Sequence, residues 1–138
     1  MAIERADVEE KIFRVRKHLD FLRRYRDECD EIFADDEIKK DAILYNLYLL
    51  SDRVIRLAEA VCAYKEAGYP DSYSGFIYRL GDIGVLDRKF AYEFAAIAKF
   101  RNFLAHQYDD IDEEQICRTL MDDLESVELF LDQIRQAL

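Results

Sequence analysis

The sequence predicts an all-α fold, a bundle of four long helices and one short one forming a single domain over residues 1–138. Three observations carry that expectation. Four glycines and one proline in 138 residues leave few places for sharp turns. The alternating Val, Ile and Thr segments that mark strands are missing. Apolar residues instead recur at three- and four-residue steps, the spacing that gives a helix one buried face. At this length one core buries about two thirds of the surface an unfolded chain exposes.

The first helix is expected from about Ile3 to Ile32, with Val8, Ile12, Val15, Leu19, Leu22 and Cys29 as a heptad-like seam. His18 lies one residue off that seam among basic neighbours and reads as a surface histidine. Asp35-Asp36 offers an N-cap, and the next helix runs to about Lys65 on Ile43, Leu47, Leu50, Val54, Leu57 and Val61. Tyr45, Tyr48 and Tyr64 on that helix read as core or interface filler. Its Arg53 and Arg56 suit either a substrate or plain solvation.

Gly68-Tyr69-Pro70-Asp71-Ser72 is the clearest break. Asp71 or Ser72 then starts a short helix, Tyr73 to about Asp82, closed by a glycine C-cap between Gly81 and Gly84. Asp87 caps the fourth helix, whose apolar residues include Phe90, Phe94, Ile97 and Leu104. Asp112 with Gln115 forms a capping-box-like pair, and Ile111 with Ile116 a hydrophobic staple, at the start of the last helix. Ile116, Leu120, Leu124, Val127, Leu131, Ile134 and Leu138 keep one stripe from there to the end.

Charge and cysteines narrow the function classes. The net charge of −10 argues against broad, salt-driven binding to long nucleic acid, and no DNA partner is expected. The charge is uneven, however. Lys11, Arg14, Arg16, Lys17, Arg23, Arg24 and Arg26 crowd the first helix, and acids dominate after Asp109, which leaves room for a local positive pocket. No apolar run reaches the ~18 residues of a membrane span, and the first residues carry no signal-peptide apolar stretch. Cys29, Cys62 and Cys117 stand in no CxxC or zinc-like spacing and read as small, lone buried residues of a cytoplasmic protein. There is no Glu-x-x-His pair, His-Glu-x-x-His motif, P-loop or Gly-x-Gly-x-x-Gly. The acids after Tyr108 lack the calcium-loop glycine and suit a helix N-terminus instead. Neither metal nor cofactor is expected.

The chemistry gathers in Arg101-Asn102-Phe103-Leu104-Ala105-His106-Gln107-Tyr108. An arginine fork binds phosphate oxygens, and an imidazole gives and takes protons near neutral pH. Together they suit cleavage of a phosphodiester. At about 100° per residue Asn102 and His106 share a helix face, whereas Arg101 and His106 diverge by about 140°. His106 is therefore expected in a fraying last turn with the arginine stem bent towards it, or else a partner helix completes the site.

The segment from Tyr73 to Ile111 resembles the HEPN superfamily, and more closely its HepT-like toxins. Arg101 and His106 match the Arg-x4-His signature, Asn102 its polar second residue, and Tyr108 the HepT-like extension to Arg-x4-His-x-Tyr. Upstream, Ser72-Tyr73, Gly84-Val85-Leu86 and Phe100-Arg101-Asn102 follow the family's order. The resemblance implies a HEPN-like bundle and a metal-independent ribonuclease toxin. In it His106 would act as general acid or base on the RNA 2′-OH or the leaving oxygen, and Arg101 would neutralise charge on the phosphate. Asn102 would orient His106 or hold a phosphate oxygen. The resemblance further implies a homodimer with both copies of Arg101 and His106 lining one groove, held by the signature helix and part of an apolar seam. It also implies a nucleotidyltransferase antitoxin of the MntA type that attaches AMP to Tyr108. Two other readings stay open: a bundle that binds nucleotide or RNA without cutting it, and a helical interaction module in which Arg101 and His106 merely tie helix ends.

Overall fold

The structure, a computed structural model, describes residues 3–106 and 111–138. These hold eight α-helical segments and no strand: α1 Arg5–Tyr25, α2 Cys29–Asp35, α3 Glu37–Tyr64, α4 Tyr73–Asp82, α5 Arg88–Phe94, α6 Ile97–His106, α7 Glu113–Asp122 and α8 Leu124–Ala137. The all-α expectation holds, and side-chain caps start the helices where the sequence places them. The Asp36 carboxylate accepts from the Lys39 amide at 3.0 Å, the Ser72 hydroxyl from Gly75 at 3.0 Å and Asp87 from Phe90 at 3.0 Å. Asp112 accepts from Gln115 at 3.3 Å. Each such cap stabilises its helix by about 1 kcal/mol.

The expected count of four long helices and one short one is corrected at three points. The first helix breaks into α1 and α2 at a 3₁₀ turn over Arg26–Glu28. The signature helix breaks into α5 and α6 at Ala95 and Ala96, and the last helix into α7 and α8 at Asp123. None of these sites carries a glycine or proline, so no local signal marks them. Packing sets them instead. The break after Tyr25 lets Cys29, Ile32 and Phe33 of α2 bury themselves where α2 meets α3 and α7.

Helix α3 is the central element, packed on α1, α2, α4 and α6. Its Leu47, Leu50, Val54, Leu57 and Val61 are buried, as are Val8, Ile12, Val15, Leu19 and Leu22 of α1. Phe90, Phe94 and Phe130 stack in series, with centroids 5.1 and 5.0 Å apart, and join α5 to α8. Gly81 sits where α4 meets α5; a Cβ there would lie 2.7 Å from the Ala91 Cβ, so only glycine allows the approach. Gly84, at φ +81°, ends the turn that follows.

Two expectations about single residues are overturned. His18 is buried rather than exposed, with Nδ1 2.9 Å from the Asn46 Oδ1 on α3. The face α1 turns to α3 is wider than a two-position seam and takes in the neighbouring residue. Cys29 and Cys117 are not lone: they form a disulfide between α2 and α7, with Cα atoms 5.6 Å apart. Cys62 remains a buried free thiol. Basic residues of α1 and of the 3₁₀ turn find acids on α8: Arg16 lies 2.6 Å from Glu128, Arg23 3.3 Å and Arg26 3.0 Å from Glu125. Among the described residues no helix is long and apolar enough to cross a membrane.

Candidate active site

Helix α6 presents Ala98, Arg101 and Leu104 at three-residue spacing, so the three share one face. Ala98 and Leu104 are buried, and the face they define packs on α3. Arg101 is thereby carried inward until 16 % of its side chain remains exposed. Its guanidinium meets a prepared partner. Nε and Nη2 donate to Asp52 Oδ1 at 3.3 and 3.2 Å, and Nη2 also donates to the Tyr48 hydroxyl at 3.1 Å. Tyr48 and Asp52 stand four residues apart on α3 and so point the same way. Nη1 donates to Asn102 Oδ1 at 3.2 Å.

Asp52 is nearly buried and serves more than one cation. Arg53 Nη1 lies 3.0 Å from its Oδ2, and Arg56 Nη2 3.8 Å from its Oδ1. One carboxylate faces three guanidiniums, so the cluster stays cationic inside an acidic chain. Tyr73, the first residue of α4, completes it: its ring centroid lies 5.4 Å from the Arg101 guanidinium carbon and 5.3 Å from that of Arg56, within cation–π reach of both. Burying a carboxylate is costly unless it is paired. Here the pairing also fixes Arg101 in one orientation.

His106 is the last residue of α6 and is exposed. The expectation that the Arg101 stem bends towards it is corrected: the stem turns to α3, and no hydrogen bond joins the two among the described residues. Asn102 is exposed and bonded to Arg101, with no bond to His106 either. One helix thus carries all three candidate residues, with Arg101 anchored and His106 turned to solvent. Tyr108 lies outside the described residues. Among the described residues no group of three or more His, Cys, Asp or Glu is placed to hold a metal ion.

Sequence reasoning passed over Asp52 and read Tyr48 as filler. The available signal was Tyr48, Asp52 and Arg56 at four-residue steps beside the apolar stripe of α3, where a buried carboxylate needs an explanation.

Comparison with known proteins adds the family. The profile described as ribonuclease HepT-like matches residues 15–134. The chain belongs to the HepT-like ribonuclease family. No curated protein matches it by sequence. Solved structures share its fold. A tri-AMPylated HEPN toxin from Shewanella oneidensis in complex with MNT antitoxin superposes at TM-score 0.82 and 18% identity, covering 94% of this chain and 96% of that one. A variant of the toxin–antitoxin MntA–HpeT superposes at TM-score 0.81 and 19% identity, covering 94% and 98%. YutE, a cytosolic protein of unknown function from Bacillus subtilis, superposes at TM-score 0.80 and 19% identity, covering 100% and 93%.

Proposed function

We propose that this chain is the toxin of a two-protein system and a ribonuclease that cuts RNA without a metal ion, with residues 1–138 acting as one catalytic domain. The observation that carries the reading is the Arg101 guanidinium held by Asp52 and Tyr48 on the same helix as an exposed His106, in a HepT-like ribonuclease. RNA brings its own nucleophile. The 2′-oxygen forms a bond to phosphorus as the bond from phosphorus to the 5′-oxygen breaks, leaving a 2′,3′-cyclic phosphate and a 5′-hydroxyl. One proton must leave the 2′-OH and another must reach the 5′-oxygen. An imidazole suits either transfer near neutral pH. Arg101 offsets the charge that builds on the non-bridging oxygens, and its pre-set orientation means little reorganisation as that charge appears. Asn102 steadies the guanidinium and offers its amide to a phosphate oxygen.

Two proton transfers and one motif histidine per chain favour a homodimer in which two copies of Arg101 and His106 line a single groove. The partner protein is a nucleotidyltransferase antitoxin of the MntA type. It transfers AMP from ATP to the Tyr108 hydroxyl with release of pyrophosphate, two residues from His106, so that a bulky anion would compete with the RNA phosphate.

The test is RNA cleavage with and without EDTA. Cleavage should survive the chelator and fall by about 10²–10⁴-fold in His106→Ala; undiminished cleavage by that variant removes the mechanism. Intact mass after incubation with the antitoxin and ATP tests the switch. The mass should rise by AMP units in the wild type, and a rise that persists in Tyr108→Phe rules that residue out.

A further inference from the structure

One face of the molecule interleaves cations with tyrosine rings. Beside Arg101 stand Tyr48, at 5.1 Å, and Tyr73, which also faces Arg56. Where α4 meets α5, the rings of Tyr78 and Tyr92 lie 4.6 Å apart at 36°, and the Arg88 guanidinium lies 5.2 Å from Tyr92. A cleft of about 510 Å³ joins the two groups, with Tyr73, Tyr78, Tyr92, Lys99 and Asn102 in its lining. Tyr73 and Asn102 both contact Arg101, so the cleft opens directly off the candidate active site.

The tyrosine pair is exposed yet held. Tyr78 is 36% and Tyr92 44% exposed. The Tyr92 hydroxyl donates to Asp82 Oδ1 at 2.9 Å, and Arg88 Nε lies 3.4 Å from the same oxygen. Rings fixed before a ligand arrives lose little rotamer freedom on stacking. Each ring is packed against the other and Arg88 lies over Tyr92, so what stays open to water is the remaining part of the pair, led by Tyr78 where it lines the cleft. A volume in the range of ligand clefts, about 300–1,000 Å³, lined by flat rings and one lysine, fits a planar, weakly polar group attached to an anion.

We infer that this cleft receives an unpaired RNA base next to the cleaved bond, with Tyr78 and Tyr92 as its stacking shelf and Lys99 meeting the adjoining phosphate. The inference rests on the ribonuclease reading above and names where that substrate binds. In a chain of net charge −10, long-range attraction to phosphate is weak, so stacking must supply much of the affinity. Asp71, also in the cleft lining, disfavours a second phosphate there. Stacking accepts every base, and the site therefore selects single strands over duplex rather than one sequence.

The experiment uses the full chain and a fluorescent single-stranded 2′-O-methyl oligoribonucleotide, which binds without being cut because its nucleophile is blocked. Tyr78→Ala and Tyr92→Ala should each weaken binding by about tenfold, the range of one lost base–ring stack. The chain contains no tryptophan, so Tyr78→Trp introduces a sole indole fluorophore. Its emission should be quenched as the oligonucleotide binds with near wild-type affinity, and this readout stands even where an alanine variant fails to fold. Affinities within about twofold of wild type together with no quenching overturn the subsite. So does a change of oligomeric state in the tyrosine variants, which makes the shelf an interface between copies. Loss of cleavage in His106→Ala with unaffected tyrosine variants sinks the subsite alone. Retained cleavage in His106→Ala with weakened tyrosine variants sinks the catalytic reading and leaves the subsite standing.

Discussion

At the scale of single residues, Asp52 decides what Arg101 can do. It is the anion among three arginines, and it lies on the inner side of the cluster with 11% of its side chain exposed. Asp52→Ala removes two hydrogen bonds from Arg101 and leaves like charges together. It should cost about 2–3 kcal/mol in urea denaturation and lower cleavage as well. Unchanged cleavage in a folded Asp52→Ala protein would show that the orientation of Arg101 is irrelevant to activity. His106→Ala, at an exposed helix end, should stay within about 0.5 kcal/mol of wild type. Arg101, Asn102 and His106 were readable because they lie within six residues of one another. Asp52 was not, because its partner sits 49 positions away and only the packing of α3 on α6 brings them together. His18 is the other residue whose setting is three-dimensional. Burial pushes its pKa below the usual 6.5, and Arg53 and Lys17 push the same way against the bond from Asn46. The unfolded chain then binds a proton that the folded one resists, so stability is full above about pH 6.5 and falls as the pH drops below it. The urea midpoint should decline from pH 7 to pH 5.5, and less so in His18→Gln. Glu125 and Glu128, held low by Arg26 and Arg16, lose their contributions only below their ordinary 4.5, which separates the two windows. An equal decline in both proteins would assign the effect elsewhere.

At the scale of elements, starts were legible and breaks were not. A cap is a local event, one side chain and an amide three residues on, and Asp36, Ser72, Asp87 and Asp112 could each be read in place. The interruptions at Arg26–Glu28, Ala95 and Asp123 answer to neighbours distant in sequence, and helix propensity runs straight through them. The cysteines make the same point. Spacing rules detect ligands clustered along the chain, whereas Cys29 and Cys117 stand 88 residues apart and meet because α2 packs on α7. A cross-link closing so long a loop restricts the unfolded chain, and its reduction should cost about 2–4 kcal/mol. Dithiothreitol should therefore lower the urea midpoint of the wild type and leave that of Cys29→Ser with Cys117→Ser unmoved. Equal midpoints for wild type with and without reductant would mean the bridge adds nothing. Cys62 does not confuse the assay. Burial pushes its thiol up to about 11, and it should react with a thiol reagent only when the chain unfolds.

At the scale of the whole molecule, two clusters of arginine in the acidic chain meet different partners. Arg16, Arg23 and Arg26 are matched by Glu125 and Glu128 of α8 and serve the fold. The arginines around Asp52 outnumber that anion, and in the proposed ribonuclease the excess is what would meet a phosphate. That excess is small for the proposed substrate, which carries one charge per nucleotide, and a second copy would double it. The seam residues of α1 and α3 are buried within one copy, and in the proposed homodimer the exposed end of α6 with His106 is the part of the signature helix that a second copy can reach. His106 points outward there, five positions from an Arg101 that points inward. In the proposed homodimer a two-fold axis would bring the two outward histidines face to face, so that one would take the 2′-proton while its counterpart delivered one to the 5′-oxygen. Such an arrangement would make activity depend on pairs. Let inactive His106→Ala protein be mixed with wild type in equal amounts, unfolded together and refolded. If both histidines of a dimer are needed, activity should fall to about a quarter of that of all-wild-type protein at the same total concentration. If each copy cuts alone, about half should survive. Light scattering on the same samples supplies the control, since a monomer at the assay concentration, or a dilution curve that follows the wild-type fraction linearly, leaves the shared groove without support.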